Sequence, residues 1–206
     1  MQNGIFITVE GTDGSGKTTQ IKLMEEYFKG KGYEVVLSRE PGGTKVSEMI
    51  RDLVLDPANT DIAPVTEMIL YAAARAQHVA QVIKPAVEAG KIVICDRFVD
   101  SSYAYQGCGR GVDLKIVADV NRVAIDGMIP DMTFFLDVDP ELALRRRVNA
   151  TGADRIEQEK IDFHRRVYEG YKNMALLFPD RIKTIDANKS IKDISFQINE
   201  YLKELL

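Results

Sequence analysis

The sequence predicts an α/β fold with three layers, in which a five-stranded parallel sheet is flanked by helices on both faces. Two observations predict it. Short apolar runs of strand character alternate along the chain with longer segments of helical periodicity, and this alternation is typical of parallel sheets. The first run leads straight into a glycine-rich segment and then into an amphipathic helix. With 206 residues, 45% of them hydrophobic and 28% charged, we expect a single domain that covers 1–206.

The predicted strands are short runs of mainly apolar residues. In chain order they cover 5–9, 34–37, 92–95, 133–136 and 182–185. The predicted helices have apolar residues three and four positions apart, as Ile21, Met24 and Phe28 show in the first of them. In chain order they cover 17–31, 46–55, 64–88, 114–125, 140–148, 162–178 and 191–205.

The segments that follow the strands are expected to carry the chemistry, because ligands of open parallel sheets bind beyond the carboxyl ends of the strands. These segments are 11–18, 39–43, 96–106, 137–139 and 187–188. Two connections are unusually polar. Three glycines within 106–111 predict a flexible or tightly turned loop. The other connection, 145–155, joins a basic helix end to a glycine-containing loop.

A phosphate-binding loop follows the first strand. Its residues are Gly11, Thr12, Asp13, Gly14, Ser15, Gly16, Lys17 and Thr18, which form the full Gly-x-x-x-x-Gly-Lys-Ser/Thr pattern. In this pattern backbone N–H groups and a helix N-terminus face the phosphates of a nucleotide. We therefore predict that these eight residues bind ATP, that Lys17 reaches its β- and γ-phosphates and that the Thr18 hydroxyl binds Mg²⁺. With this loop, the predicted α/β fold is a P-loop NTPase fold. The alternative interpretation of the segment is a glycine-rich turn that binds no ligand.

The third predicted strand ends at a second candidate metal ligand. Asp96 follows 92–95, where a Walker-B carboxylate would hold Mg²⁺ directly or through water. The adjacent Arg97 would by itself be an ordinary surface ion-pair residue. Beside a metal-binding acid at a strand end, it is predicted to bind phosphate.

Charge and composition exclude several classes of partner. The net charge of −4 gives no general attraction for a nucleic acid polymer or an anionic membrane. The first strand begins too early to leave room for a signal peptide, and no apolar run reaches membrane-spanning length, so we expect a cytoplasmic protein. Two cysteines and two histidines without metal spacing argue against a zinc site.

A GTPase is disfavoured by two positions. The segment after the third strand reads Asp96-Arg97-Phe98-Val99 rather than Asp-x-x-Gly, and 188–191 resembles Asn-Lys-x-Asp without the final acid. A large motor ATPase needs more elements than this chain provides. These exclusions favour a small-molecule kinase.

Four further motifs carry a family resemblance. They are Arg39-Glu40-Pro41-Gly42-Gly43, then Tyr71-Ala72-Ala73-Ala74-Arg75, then Asp96-Arg97-Phe98 with Ser101-Ser102-Tyr103-Ala104-Tyr105-Gln106-Gly107, and finally Asp154-Arg155-Ile156-Glu157. In this order and spacing the chain resembles bacterial thymidylate kinases over nearly its whole length. The resemblance implies transfer of a phosphoryl group from ATP to dTMP, giving ADP and dTDP for dTTP synthesis. It also implies a nucleoside-monophosphate-kinase fold and a homodimer.

The resemblance assigns five residues to the nucleoside of dTMP. Tyr71 matches the aromatic residue that stacks on thymine, a position that is most often Phe in the family, and Arg75 matches the arginine that donates to the thymine O4. Gln106 matches the residue that reads the N3 edge of the base. Ser102 and Tyr105 match residues that line the base and sugar, where the tyrosine ring would disfavour a 2′-hydroxyl.

Four residues match positions near the sugar and the phosphate of dTMP. Asp13 corresponds to the acid that accepts a hydrogen bond from the 3′-hydroxyl. Arg51 and Arg97 correspond to arginines that bind the monophosphate, and Glu40 to an acid that orients them or orients magnesium-bound water.

A lid over about 145–157 is expected to supply the cation of the transition state, because the phosphate loop itself contains no basic residue besides Lys17. The stretch 148–154 has neither Lys nor Arg. Arg147 and Arg155 are therefore the predicted catalytic lid residues, with Arg145 or Arg146 as alternatives.

Two rival functions remain open from the sequence. Another deoxynucleotide or deoxynucleoside kinase would share the phosphate loop and Asp96-Arg97 but would not need the pair Arg75 and Gln106. A catalytically silent nucleotide-binding module would keep Lys17 and lose the lid chemistry.

Overall fold

The computed structural model describes residues 4–148 and 154–206, with the side chains of 146–148 outside the description. In this part of the chain five parallel strands form one sheet in the order β2-β3-β1-β4-β5. They are β1 (Ile5–Glu10), β2 (Val35–Arg39), β3 (Ile92–Asp96), β4 (Met132–Asp137) and β5 (Ile182–Asp186). The predicted five-stranded parallel sheet is confirmed, with strand ends that differ from the prediction by one or two residues.

The described helices occupy the intervals between the strands and flank the sheet. They are α1 (Lys17–Gly30), α2 (Lys45–Leu55), α3 (Pro64–His78), α4 (Lys84–Glu88), α5 (Val99–Ser102), α6 (Leu114–Ala124), α7 (Pro140–Val148), α8 (Ile161–Leu177) and α9 (Ile191–Leu202), followed by a 3₁₀ turn at Lys203–Leu205. No helix in 4–148 or 154–206 has both the length and the apolar character needed to cross a bilayer.

Alternation along the strands builds a core on each face of the sheet. Ile7 and Ile94 pack on one face with residues of α1 and α9, while their neighbours Phe6 and Val93 point to the opposite face. On that opposite face lies the long helical segment that begins with α3. Residues buried on both faces explain why the central strands read as nearly continuous apolar runs.

The predicted helix 64–88 is divided by a π-helical segment. Val79–Ile83 separates α3 from α4, and Pro85 is the second residue after it. Proline has no N–H for the helical ladder and its ring crowds the preceding turn, so the local widening follows from this residue. The predicted helix is therefore continuous from α3 to α4, but its hydrogen-bonding pattern changes at Val79–Ile83.

The loop predicted at 106–111 is wrong over most of its length. Tyr103–Gly109 is a π-helical segment that continues α5 and packs on α8. A Cβ at Gly109 would lie 2.7 Å from Phe163, and one at Gly170 would lie 2.9 Å from Cys108. These glycines allow two helical segments to pack closely. From the sequence alone, such glycines are interpreted as a sign of flexibility.

The register brings three connections to one edge of the sheet. Asp96 at the end of β3 lies opposite Val9 of β1 on one side and Arg39 of β2 on the other. The Arg97 N–H donates to the carbonyl of Val9 at 3.0 Å, and the Glu40 N–H donates to that of Asp96 at 2.9 Å. The phosphate loop and the segments after β2 and β3 are thus held side by side.

Candidate active site

The phosphate loop connects β1 to α1 through glycines in conformations that other residues adopt at a cost. Gly14 and Gly16 have φ of 85° and 96°, and a Cβ at Gly14 would lie 2.0 Å from the carbonyl oxygen of Ala143. The Lys17 side chain folds back over the loop and donates to the carbonyls of Gly11 and Thr12 at 3.2 and 3.1 Å. Burial lowers the pKa of Lys17, and the nearby Arg97 lowers it further.

Two oxygens suited to a divalent cation lie in the same pocket as Lys17. Asp96 and Thr18 both line it, the Thr18 side chain is exposed, and the buried Oδ1 of Asp96 has no hydrogen-bond partner among the described residues. A buried carboxylate oxygen without a partner is costly unless a ligand satisfies it. This donor set fits Mg²⁺, which takes one or two protein oxygens together with phosphates and water.

Arg97 stands at the centre of the site in a strained conformation. Its φ of 68° is rare for a residue with a side chain. The guanidinium donates to Asp13 Oδ1 at 2.8 Å and to the Tyr171 hydroxyl at 3.1 Å, and it lies 5.1 Å from the centroid of the Tyr105 ring. Burial alone would lower the pKa of Arg97, but Asp13 and the other neighbours hold it well above the usual range. Arg97 is therefore a fixed cation.

A second pocket of about 560 Å³ opens beside the phosphate loop. It contains all nine residues predicted to bind substrate, namely Asp13, Glu40, Arg51, Tyr71, Arg75, Arg97, Ser102, Tyr105 and Gln106. The pocket around Lys17 shares four of them, Asp13, Glu40, Arg51 and Arg97. A ligand in the second pocket would therefore meet the phosphate-loop ligand at these four side chains.

Arg75 is buried at the floor of this second pocket. Its guanidinium donates to Glu40 at 2.7 Å, to Ser102 at 2.8 Å and to the carbonyl of Phe98 at 3.0 Å, and it also bonds to Asn121. These bonds use four of its five N–H groups. The remaining hydrogen, on Nη2, is available for a ligand.

The thymidylate kinase family model matches residues 9–198 of this chain. A thymidylate kinase from Exiguobacterium sp. is 48% identical over 204 residues, which cover 99% of this chain and 96% of that protein. The chain belongs to the thymidylate kinase family. A relative of the same name from Thermoanaerobacter sp. is 50% identical over 203 residues, with 98% and 99% covered. The crystal structure of thymidylate kinase from Ehrlichia chaffeensis has a TM-score of 0.81 at 36% identity, over 97% of this chain and 99% of that one.

These findings confirm the resemblance read from the four motifs, and they confirm the P-loop NTPase fold. The structure also shows the positions of the individual side chains. Glu40 contacts Arg75 and His78 in the interior, and Arg51 Nη1 donates to the Pro41 carbonyl at 2.8 Å at the rim of both pockets. The assignments of single residues within this family site remain predictions.

Only some of the predicted lid residues belong to the part of the chain that the structure describes. The side chains of Arg146 and Arg147 and the whole of 149–153 lie outside the described residues. Arg155 is described: it donates to Glu67 Oε2 at 2.6 Å and to the Val54 carbonyl at 2.7 Å, and it is 8% exposed. A transition-state role for Arg155 would require it to leave this ion pair.

Two buried acids of the site escaped the sequence analysis. Glu10 is the last residue of β1, and Glu67 lies one helical turn before Tyr71 on the face of α3 that also carries Arg75. The four-residue spacing of positions 67, 71 and 75 could have placed Glu67 on the same helix face as Tyr71 and Arg75. No local signal marked Glu10, because its partners Phe98, Ser101 and Tyr171 come from distant parts of the chain.

Glu10 holds the backbone that follows Arg97. Its carboxylate accepts from the Phe98 N–H at 2.7 Å, from the Ser101 hydroxyl at 2.6 Å and from the Tyr171 hydroxyl at 2.9 Å. Complete burial, and secondarily the charge of Asp100, raises the pKa of Glu10 to about 7. The folded protein therefore holds a proton here at pH values where the unfolded chain has lost it.

We expect stability to fall as pH rises between about 4.5 and 7. In this window the folded state binds more protons than the unfolded state, whose glutamate titrates near 4.5. The difference corresponds to about 3 kcal/mol over the whole window. Urea unfolding at a series of pH values measures the slope. Glu10→Gln should remove this contribution, whereas the surface control Glu26→Gln should keep it, and equal slopes in all three proteins would contradict the assignment.

Proposed function

We propose that the two pockets hold ATP and dTMP and that the γ-phosphoryl group is transferred where they meet. Because the chain belongs to the thymidylate kinase family, it converts ATP and dTMP into ADP and dTDP. The observation that supports this placement is that Asp13, Glu40, Arg51 and Arg97 line both pockets. Donor and acceptor phosphates would share these side chains.

The chain needs no general base for this reaction. The nucleophile is an oxygen of the dTMP phosphate, whose second pKa of about 6 leaves it mostly dianionic at neutral pH. Positioning and charge neutralisation then lower the barrier. Lys17 neutralises charge on the ATP phosphates, and Arg97 with Arg51 holds the acceptor phosphate. Asp13 places the sugar of dTMP against the phosphate loop.

Mg²⁺ is part of the proposal. Thr18 and Asp96 would hold the ion, Asp96 directly or through water. When bound, the ion would supply positive charge to neutralise the phosphates during transfer. The unpartnered Oδ1 of Asp96 supports this role. Asp96 thus acts as a metal and orientation residue rather than as a proton acceptor.

The thymine base would lie between Tyr71 and the polar floor made by Arg75 and Gln106. Stacking of one base on an aromatic ring contributes about 1–3 kcal/mol. The free Nη2 hydrogen of Arg75 suits the O4 acceptor of thymine, and Gln106 suits the N3 edge. Ser102 and Tyr105 complete the wall beside the base and sugar.

The segment 145–157 would form a lid over the two ligands. Arg147 or Arg155 would stabilise the charge of the transferring group, and an arginine in this role contributes about 10³–10⁵ in rate in related phosphoryl-transfer enzymes. Asp154 and Ile156 already line the dTMP pocket, which supports a lid that covers both ligands. Closure would exclude water from the reacting phosphates.

One assay tests the proposed function. ADP formation is measured with Mg·ATP and, separately, dTMP, dUMP, dCMP, dGMP or thymidine. We expect a strong preference for dTMP. Preference for a different acceptor would keep the kinase and discard the base-reading roles of Arg75 and Gln106, and no turnover with any of the five would favour a silent nucleotide-binding module.

We further propose a homodimer in the cytoplasm. Helix α3 packs between α2 and α6, and these three helices carry exposed apolar side chains. They include Val46, Met49, Leu53, Val65, Ile69, Ile116 and Val123, each 45% to 74% exposed. An apolar surface of this kind marks an interaction site. ATP as co-substrate and two free cysteines support the cytoplasm.

A charge on this surface should dissociate the dimer. We expect Ile69→Glu, in the central helix of the three, to sediment as a monomer at concentrations where the wild type is dimeric. Leu176→Glu is the matched control, because Leu176 is 79% exposed on α8 and lies outside this surface. Dimers that survive in Ile69→Glu, or that are lost only in Leu176→Glu, would place the interface elsewhere.

A further inference from the structure

A fully buried carboxylate lies behind the predicted base-reading glutamine. Glu67 of α3 has no exposed surface and accepts hydrogen bonds from three side chains. Gln106 Nε2 donates to its Oε1 at 3.0 Å, Arg155 Nη2 donates to its Oε2 at 2.6 Å, and Arg110 contacts both oxygens through Nε at 3.1 and 3.2 Å. Neither the family motifs nor the helix spacing assigned a role to this residue.

The two arginines keep Glu67 ionised. Burial alone would raise the pKa of Glu67, but the hydrogen bonds from Arg110, Gln106 and Arg155 together hold it below its usual value. An ionised carboxylate accepts hydrogen bonds and donates none. The arm of the Gln106 amide that faces Glu67 must therefore be the NH₂ group.

This contact fixes the other arm of the amide as well. The oxygen and nitrogen of a carboxamide point in different directions, so an NH₂ group on Glu67 turns the Gln106 oxygen away from it. Gln106 is 2% exposed and lines the dTMP pocket together with Tyr71 and Arg75. The amide oxygen thus faces a ligand in the pocket as an acceptor, while one N–H of the NH₂ group is used on Glu67.

Thymine and cytosine differ at the atom that this acceptor would meet. Thymine carries a hydrogen on N3, whereas N3 of cytosine is an acceptor. A site whose buried polar group matches one ligand rejects the ligand that leaves it unpaired. We propose that Glu67 is a specificity-determining positioning residue, which orients the Gln106 amide so that its oxygen selects a pyrimidine with an N3–H. This inference rests on the proposed placement of dTMP.

Glu67→Gln is the informative substitution, because the arginines dictate how the new amide lies. Arg155 and Arg110 both donate to the position of Oε2, so the oxygen of the new side chain turns there. Its NH₂ group then takes the position of Oε1, which faces Gln106 and also Arg110 Nε. The Gln106 amide must then reverse and present its own NH₂ group to the pocket, where it opposes the N3–H of thymine.

We expect the KM for dTMP to rise about 10- to 100-fold in Glu67→Gln, the size of effect that an unmatched buried donor produces. The KM for ATP should change little. The ratio of kcat/KM for dTMP over dCMP should fall at least tenfold, because cytosine N3 accepts from the reversed amide. Glu159→Gln is the matched control: Glu159 pairs with Arg110 but does not touch Gln106, so the ratio should stay that of the wild type.

The exchanged pair Glu67→Gln/Gln106→Glu provides a rescue. Its new amide donates to the carboxylate at 106, which keeps an acceptor toward the base, and we expect most of the lost dTMP preference to return. A purely structural Glu67 predicts a different result: dTMP and dCMP activities would fall together, and the ratio would stay unchanged in every variant. That outcome overturns the proposal.

A measurement on the wild-type protein covers the case in which Glu67→Gln fails to fold. The Gln106 amide proton that faces Glu67, followed by NMR with ¹⁵N-labelled glutamine, should be protected from exchange before dTMP is added and shift little on its addition. A large shift of this proton would mean that the NH₂ group leaves Glu67 for the base, against the proposal. Wild-type protein that does not phosphorylate dTMP would instead contradict the proposed function.

Discussion

Replacing Lys17 with alanine should lower kcat by about 10²–10³ or more while the fold is retained. The Lys17 ammonium is the basic group within the phosphate loop, it is 6% exposed, and two loop carbonyls hold it over the phosphate site. Alanine leaves the backbone cradle intact but removes the cation that follows the charge onto the transferring group. Steady-state ADP formation at saturating ATP and dTMP measures the loss.

The control for this result lies on the same helix. Lys22→Ala removes an exposed lysine one and a half turns along α1, where it faces solvent away from the loop. We expect its kcat to match the wild type. Turnover retained by Lys17→Ala would show that the phosphate loop does not bind the donor as proposed, and an equal loss in both variants would indicate a general effect of charge.

Replacing Arg97 with alanine should lower kcat/KM for dTMP by about 10²–10³. Arg97 lines both pockets and donates to Asp13, so its guanidinium lies where the acceptor phosphate would approach the donor. A planar guanidinium binds a phosphate through two parallel hydrogen bonds, which an ammonium does not reproduce. Arg97→Lys should therefore recover only part of the activity.

Backbone strain supplies a control that separates catalysis from stability. At φ 68° a side-chain-bearing residue is disfavoured by about 1–2 kcal/mol relative to glycine. Arg97→Gly should lose activity as Arg97→Ala does, yet it should unfold at a higher urea concentration than Arg97→Ala. If activity followed stability across the two variants, the loss would be structural, and the placement of Arg97 on the acceptor phosphate would be wrong.

The predictions that hold from the sequence rest on residues close together in the chain. The phosphate loop is a contiguous segment, and Tyr71 and Arg75 are one helical turn apart, so local geometry alone brought each group to one place. The rule that ligands bind beyond the carboxyl ends of parallel strands then joined 11–18, 39–43 and 96–106 at one edge. The structure confirms that edge through the register of β1, β2 and β3.

The errors and omissions concern contacts between distant segments. The glycines of 106–111 suggested a loop because the sequence does not show that α8 packs against them. The ion pair between Arg155 and Glu67, 88 positions away, was likewise not visible in the sequence, and the lid role of Arg155 stays a prediction.

The sequence by itself determined the fold class and the phosphate-loop motif, because each depends on short-range periodicity or on a motif with a local mechanism. The residues around the second pocket were named by the resemblance to the family. Only the tertiary structure decided which of these side chains are held and by what. Glu10 bonds to Tyr171 across 161 positions, and Glu67 collects Gln106, Arg110 and Arg155 around one carboxylate. Such buried acids are tolerated only where folding brings them enough donors, and those donors come together only when the chain has folded.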